Sequence, residues 1–372
     1  MSATVGDFID IMENLAPVAL AESWDNVGLQ VGHRNWRIKR VWTALDPLPE
    51  VIAAACRHKV DLLVTHHPLI FKPLKRLDGA KPVGQCIFQA IENRLAVYAA
   101  HTNFDSAAGG LNDIFAGRLG LTHLAALVAS APAGVFKLVV FVPVEHEQRL
   151  LEALFESPAG DIGAYRNCSF RTFGRGTFKP GQDAAPYAGE RGRVNDVAEV
   201  KIEAVVAPRD LARVIAHLRS SHPYETMAYD VYPLRPAESM QGLGRVGELA
   251  EPTDLTSLAL AVKQTFGVET LRVAGDPHLP VKRVAICTGS GASLLPSFLA
   301  SAAEVYISGD LRYHDARDTA AAGRGLIDVG HFASEHIFVA ELTRRLRAAA
   351  AAAGLDVDIS GCDLEKEPFS YL

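Results

Sequence analysis

Histidines and carboxylates recur just after short apolar runs in this sequence, and imidazole with carboxylate is the usual ligand set for zinc, iron, nickel and manganese. His66 and His67 directly follow Leu62–Thr65, and Pro68 holds His67 extended. His101 directly follows Ala96–Ala100, with Asp105 four residues on. Ligands bind at the carboxyl ends of strands in parallel α/β sheets, so both clusters are expected on the functional rim of one sheet. A third cluster, Gly330-His331-Phe332-Ala333-Ser334-Glu335-His336, follows Leu326–Val329. His331 and Glu335 are four apart and share a face if the turn is already helical. Phe338, Val339, Leu342 and Leu346 continue that face, which makes it the core side of a helix. A carboxylate there is costly unless it is paired or bound to a cation. A single histidine at a strand end is more often a hydrogen-bonded turn residue, and Glu335 alone could serve a helix start. Together, the three junctions point to one metal site.

The elements that must position these residues alternate in type. Phe8, Ile9, Met12 and Leu15 have helical spacing, and Pro17 ends that helix. Strands are expected at 40–45, 62–65 and 96–100, with helices at 51–57 and 83–93 between them. This alternation implies βαβ units and a largely parallel sheet. Near Pro132 the character changes. A strand at 135–142, a helix at 145–155, strand-like stretches at 165–173, a polar loop at 179–195, a strand at 197–206, a helix at 209–219 and a strand at 227–234 follow. That order matches a ferredoxin-like split βαβ unit. Alternation resumes after about Gly244, with strands at 281–287, 305–308 and 326–329 and helices at 294–302, 315–322 and 334–352. The expected fold is an α/β core of βα units built from both ends of the chain (1–130 and 245–372), interrupted by an α+β insert at 131–244.

Five segments resemble the motifs of the Nif-three-like family: Ser23–Leu29 (SWDNVGL), Thr65–Phe71 (THHPLIF), His101–Asp105 (HTNFD), Ser308–Asp315 (SGDLRYHD) and Asp328–Glu335 (DVGHFASE). Members carry the names GTP cyclohydrolase 1 type 2 homologue and dinuclear metal centre hexameric protein. The middle segment, with His222–Thr226 (HPYET) and Ala228–Leu234 (AYDVYPL), is similar to the CutA/PII-like insert of longer members. The resemblance implies two divalent metal ions per chain held by His66, His67, Asp105, His331 and Glu335. Glu335 would bridge both ions, and His66 and His67 would go to different ones. His101 matches a position close to the site, as a supporting residue or optional ligand, and is the best-placed proton shuttle. The resemblance also implies a homo-hexamer. Its first functional reading is a metal-dependent hydrolase of a nucleotide-like substrate. The alternatives are metal storage, delivery or regulation without turnover, and a ring that binds nucleic acid.

Weaker features stay open. Thr288–Ser293 is either a tight turn before a helix or a cradle for phosphate. Asp25 and Asp310 either orient substrate or water or serve as turn and cap residues. Asp310, His314 and Asp315 are close enough in sequence to supply a partner for a ligand. His222 and Glu225 either bind a ligand or belong to turn structure.

Composition sets the outer bounds. The 372 residues are 49% hydrophobic and 22% charged, which excludes whole-chain disorder and leaves ample material for a core. A net charge of −6 argues mildly against nucleic acid as a partner. Five scattered cysteines, without a CxxC pair, indicate a reduced compartment and no zinc-thiolate site. No run approaches the ~18 apolar residues of a spanning helix, and no targeting segment is visible, so a cytoplasmic protein without membrane contact is expected.

Overall fold

The computed structural model describes residues 3–129, 135–162, 165–234 and 241–370. Its strands are β1 (Gly28–Val31), β2 (Arg40–Ala44), β3 (Leu62–Thr65), β4 (Ala96–Ala99), β5 (Thr122–Ala129), β6 (Phe136–Pro143), β7 (Ser169–Phe178), β8 (Asn195–Val206), β9 (Tyr229–Pro233), β10 (Gly242–Asp254), β11 (Arg272–Ala274), β12 (Pro280–Ser290), β13 (Val305–Gly309), β14 (Gly325–Asp328) and β15 (Asp358–Gly361). The chain divides into two compact units, residues 1–130 with 238–372, and residues 131–237.

The first unit holds two sheets. One has the order β1-β4-β3-β2-β15, parallel except for β1 at its edge. Its inner strands, Leu-Leu-Val-Thr in β3 and Ala-Val-Tyr-Ala in β4, are buried along their whole length, as strands covered on both faces must be. Helices Pro49–Arg57 and Pro82–Glu92 each begin with proline, whose missing N–H costs nothing in a first helical turn. The second sheet, β11-β14-β13-β12-β10-β5, is mixed: the β12–β13 and β13–β14 pairs are parallel and the other three antiparallel. The long strand β10 pairs antiparallel with both β5 and β12, and β11 pairs antiparallel with β14.

One apolar core joins both ends of the chain. Phe8, Val41, Leu62, Phe104 and Phe115 from the first part pack with Val284, Ile307, Ile327, Phe338 and Leu342 from the last. The Phe104 and Phe338 rings meet edge to face, with centroids 5.2 Å apart. Arg245 on β10 is fully buried, and its guanidinium grips Asp113 twice, at 2.5 and 3.0 Å. It also donates to the carbonyls of Gly242, Gly244 and Ala107. Asp113→Ala strands this charge in the interior and is expected to cost about 3–5 kcal/mol, read by chemical denaturation. A loss under 1 kcal/mol would show that water reaches the guanidinium.

The second unit is a four-stranded antiparallel sheet of order β7-β8-β6-β9. Helices Glu147–Phe155 and Pro208–Ser221 cover one face, where Leu150, Leu154, Val214 and Leu218 pack on Leu138, Val140, Val200 and Ile202. Strand, helix, two strands, helix and strand with this pairing is the ferredoxin-like arrangement. Among the described residues no helix is long and apolar enough to cross a membrane.

Candidate metal centre

β3 and β4 lie side by side and parallel, so the residues just past them share one rim. The His66 and His67 amides bond to the Ala44 and Leu45 carbonyls, which extends the ladder past the strand end and fixes both side chains. His101 precedes the short helix Thr102–Ser106, which carries Asp105. From the other sheet, β14 ends at Asp328. Gly330 turns the chain at φ 88°, and helix His331–Glu335 begins.

These three junctions converge. The Glu335 carboxylate stands at the middle: Oε1 is 3.6 Å from His66 Nε2, and Oε2 is 3.0 Å from His67 Nε2 and 2.9 Å from His331 Nε2. Asp105 Oδ1 is 3.7 Å from His66 Nε2. The possible ligand atoms fall into two groups, His66 with His67 and His101, and His67 with His331 and Glu335. His67 belongs to both.

Every ring is held from its outer side. The Nδ1 atoms of His66, His67, His101 and His331 face Ala100 O at 2.9 Å, Asp46 Oδ1 at 2.7 Å, Asp25 Oδ1 at 2.9 Å and Asp310 Oδ2 at 2.7 Å. Carbonyls and carboxylates only accept, so Nδ1 is the donor in each pair and Nε2 is the atom offered inward. This is how metal-ligating histidines are oriented.

The interior of the cluster fits a cation. His66 is 0% and Glu335 3% exposed, and His66 Nε2 and Asp105 Oδ1 are buried without a hydrogen-bond partner, whereas Glu335 Oε2 faces the His67 and His331 Nε2 atoms. Orphaned buried polar atoms are rare, and His66 Nε2 with Asp105 Oδ1 3.7 Å away leaves an unmet acceptor pair that a metal ion satisfies. The charges agree. Burial, then the Glu335 charge, pushes Asp105 well above the usual carboxylate range. Burial opposes ionisation of Glu335 too, but the His66, His331 and His67 rings outweigh it and hold its carboxyl low. Burial pulls His66 down to about 4. His67 and His331 are also disfavoured by burial, yet Asp46, Asp310 and Glu335 raise them to about 10 and about 9.

A cation entering this site must therefore compete with protons on His67 and His331. Metal binding near neutral pH is expected to release protons, and affinity should rise with pH until about 9–10. Calorimetric titrations of chelated protein in buffers of different ionisation enthalpy measure this directly. Affinity that falls with rising pH would contradict the protonation scheme.

All six residues singled out from the sequence, His101 included, meet here. Asp310 is the partner of His331, whereas Asp315 caps helix Tyr313–Ala321 through the Arg312 amide. Asp25 accepts from His101 and from both Thr102 donors; burial opposes its charge, but these bonds hold it down at about 2. Asp46, which the sequence marks only as closing a strand, lies two residues past β2, beside β3, and its signal is the position alone: a carboxylate just past a strand end. Thr288 and Gly289, at the end of β12, donate their amides to Asn112 and Ser334, so these amides are already engaged and do not form a phosphate cradle. In the insert, His222 bonds Phe141 O and Glu225 accepts from the Ala185 amide, both as loop structure. A cleft of about 560 Å³ lined by Asp46, His67, Asp310, His331, Phe332 and Phe369 adjoins the cluster.

The fold and the cluster define a mixed α/β protein with a buried histidine–carboxylate group able to hold a metal ion. The chain belongs to the Duf34/NIF3 (NGG1p interacting factor 3) family, whose model matches residues 3–368. It is 38% identical over 364 residues to a Bacillus subtilis protein named GTP cyclohydrolase 1 type 2 homolog, covering 98% of this chain and 97% of that one. A Mycobacterium tuberculosis protein of the same name is 35% identical, covering 100% and 97%. The crystal structure of a Bacillus cereus protein related to NIF3 superposes with a TM-score of 0.80 at 36% identity, covering 100% of both chains.

Proposed function

We propose that the chain binds two divalent metal ions, drawn from zinc, iron, manganese and nickel, and hydrolyses a nucleotide-like substrate at them. The observation that carries this reading is the pair of orphaned buried atoms, His66 Nε2 and Asp105 Oδ1, beside the group of His67, His331 and Glu335. Glu335, with its two oxygens turned to different histidines, suits a bridge between ions. His66, His67, Asp105 and His331 complete the proposed ligands. When bound, two such ions supply Lewis acidity that activates water near neutral pH and stabilises negative charge developing on oxygen. The names of the relatives support a nucleotide as the substrate class.

His101 supplies proton transfer in this reading. Its Nδ1 proton is held by ionised Asp25, which leaves Nε2 as the atom turned inward to exchange a proton. His101→Ala is expected to cut turnover about a hundredfold while metal content changes little. Asp105→Asn should lower metal content and turnover together. Equal metal loss in both variants would make His101 a ligand instead of a shuttle.

The deciding experiment incubates metal-loaded protein with GTP and related nucleotides and follows products by chromatography, with His66→Ala as control. Identical traces from both proteins would sink the hydrolase and favour metal storage or delivery. We further propose a homo-hexamer, which light scattering tests as six times the chain mass, and a CutA/PII-like insert, supported by its ferredoxin-like strand order.

A further inference from the structure

Beside His101 lie two large apolar rings that solvent should not hold without reason. Trp24 is 57% and Phe71 46% exposed. Their centroids are 5.9 Å apart at 60°, and they stand 6.0 and 6.4 Å from the His101 ring. The pair is anchored on both sides. Asp25, next to Trp24, is bonded to His101 and Thr102. Asn26 Nδ2 donates to Ile70 O at 2.6 Å, and the Ile70 amide donates to Gln30 Oε1 at 2.8 Å. Phe71 follows directly. Rings fixed on cross-tied segments lose little freedom when another ring stacks on them.

The charge beyond Phe71 is equally one-sided. Residues 72–81 read Lys-Pro-Leu-Lys-Arg-Leu-Asp-Gly-Ala-Lys, and all are exposed. Among the described residues, Lys72, Lys75, Arg76 and Lys81 pair with no carboxylate. The one acid of the run, Asp78, accepts from the Ala80 amide. A chain of net charge −6 thus gathers four uncommitted cations within ten residues of an aromatic pair at its candidate centre.

We infer that Trp24 and Phe71 form a stacking platform for the base of a nucleoside polyphosphate whose phosphates lie on the loop of Lys72, Lys75, Arg76 and Lys81. The inference rests on the nucleotide reading of the centre and specifies how that substrate is held. Every nucleobase offers a flat face to an aromatic ring, and phosphates seek lysine and arginine. With the base on this platform, its edge is brought to His101 and the histidine cluster.

The test is binding, measured by isothermal titration calorimetry on metal-loaded full-length protein with GTP, guanosine and inorganic tripolyphosphate. Trp24→Ala should weaken GTP and guanosine about tenfold or more and leave tripolyphosphate unchanged. Combined Lys72→Glu, Lys75→Glu and Arg76→Glu should weaken GTP and tripolyphosphate, leave guanosine unchanged, and lose its effect as salt rises. Phe71→Ala should repeat the Trp24 pattern, and circular dichroism and metal content should match wild type in all variants. Unchanged GTP affinity in these variants overturns the inference. So does altered oligomeric mass with nucleotide affinity intact, which would assign Leu74, Leu77 and the rings to an interface between copies. Binding through these residues without turnover sinks the hydrolase reading alone, whereas normal turnover in every variant sinks the platform alone.

Discussion

Glu335→Ala is expected to empty the centre while the fold survives. Among the described residues the carboxylate is the one acidic group within 4 Å of His66, His67 and His331 together, so its removal takes a ligand from both proposed ions at once. Loss of an outer partner of a ligand already costs about 10–100-fold in metal affinity, and loss of a shared ligand should exceed that at each ion. Turnover, if the centre is hydrolytic, should fall to background. Elemental analysis after dialysis gives occupancy, and thermal unfolding with and without chelator gives the linkage. Wild type should lose about 4 kcal/mol on chelation if metal is present at a thousand times its dissociation constant, and the variant should lose almost none. Full occupancy of both ions in Glu335→Ala would refute the bridging role.

Gly289→Ala should have nearly the same effect from the opposite wall of the site. Gly289 sits at φ +63°, and a Cβ there would stand 1.9 Å from Glu335 Oε1 and 2.8 Å from its carboxyl carbon. The added methyl and the carboxylate cannot share that space. The carboxylate is the flexible partner, so it is driven from its place between the histidines. The left-handed backbone adds roughly 1–2 kcal/mol of strain, which a folded domain tolerates. Gly323→Ala separates the two effects, because Gly323 has φ +68° but nothing within 4 Å of its Cβ position. Both variants should be mildly destabilised in denaturation, and only Gly289→Ala should lose metal. Normal metal content in Gly289→Ala would mean that Glu335 is not held where the structure places it.

The sequence by itself determined the parts whose causes are local. Leu62–Thr65 and Ala96–Ala99 are buried strands because unbroken apolar runs of that length fit a covered sheet, and the histidines after them stand on its rim because strands end there. Glu335 was legible as anomalous because helical periodicity put a carboxylate on a core face. The βαββαβ order of the insert was also readable, since each element carries its own period. Tertiary structure decided what depends on partners distant in the chain. β10, with three glycines among its first six residues, shows little apolar alternation and becomes a strand through pairing with β5 and β12. β15 returns to lie beside β2, and Glu365 after it takes the Leu45 and Asp46 amides, which steadies the carboxylate that holds His67. The closeness of Gly289 to Glu335 and of Trp24 to Phe71 has no local signature at all. Spacing along the chain fixes which face a side chain takes within its own element. Which faces then meet is set by burying one continuous apolar core between two sheets, and that is a property of the whole unit.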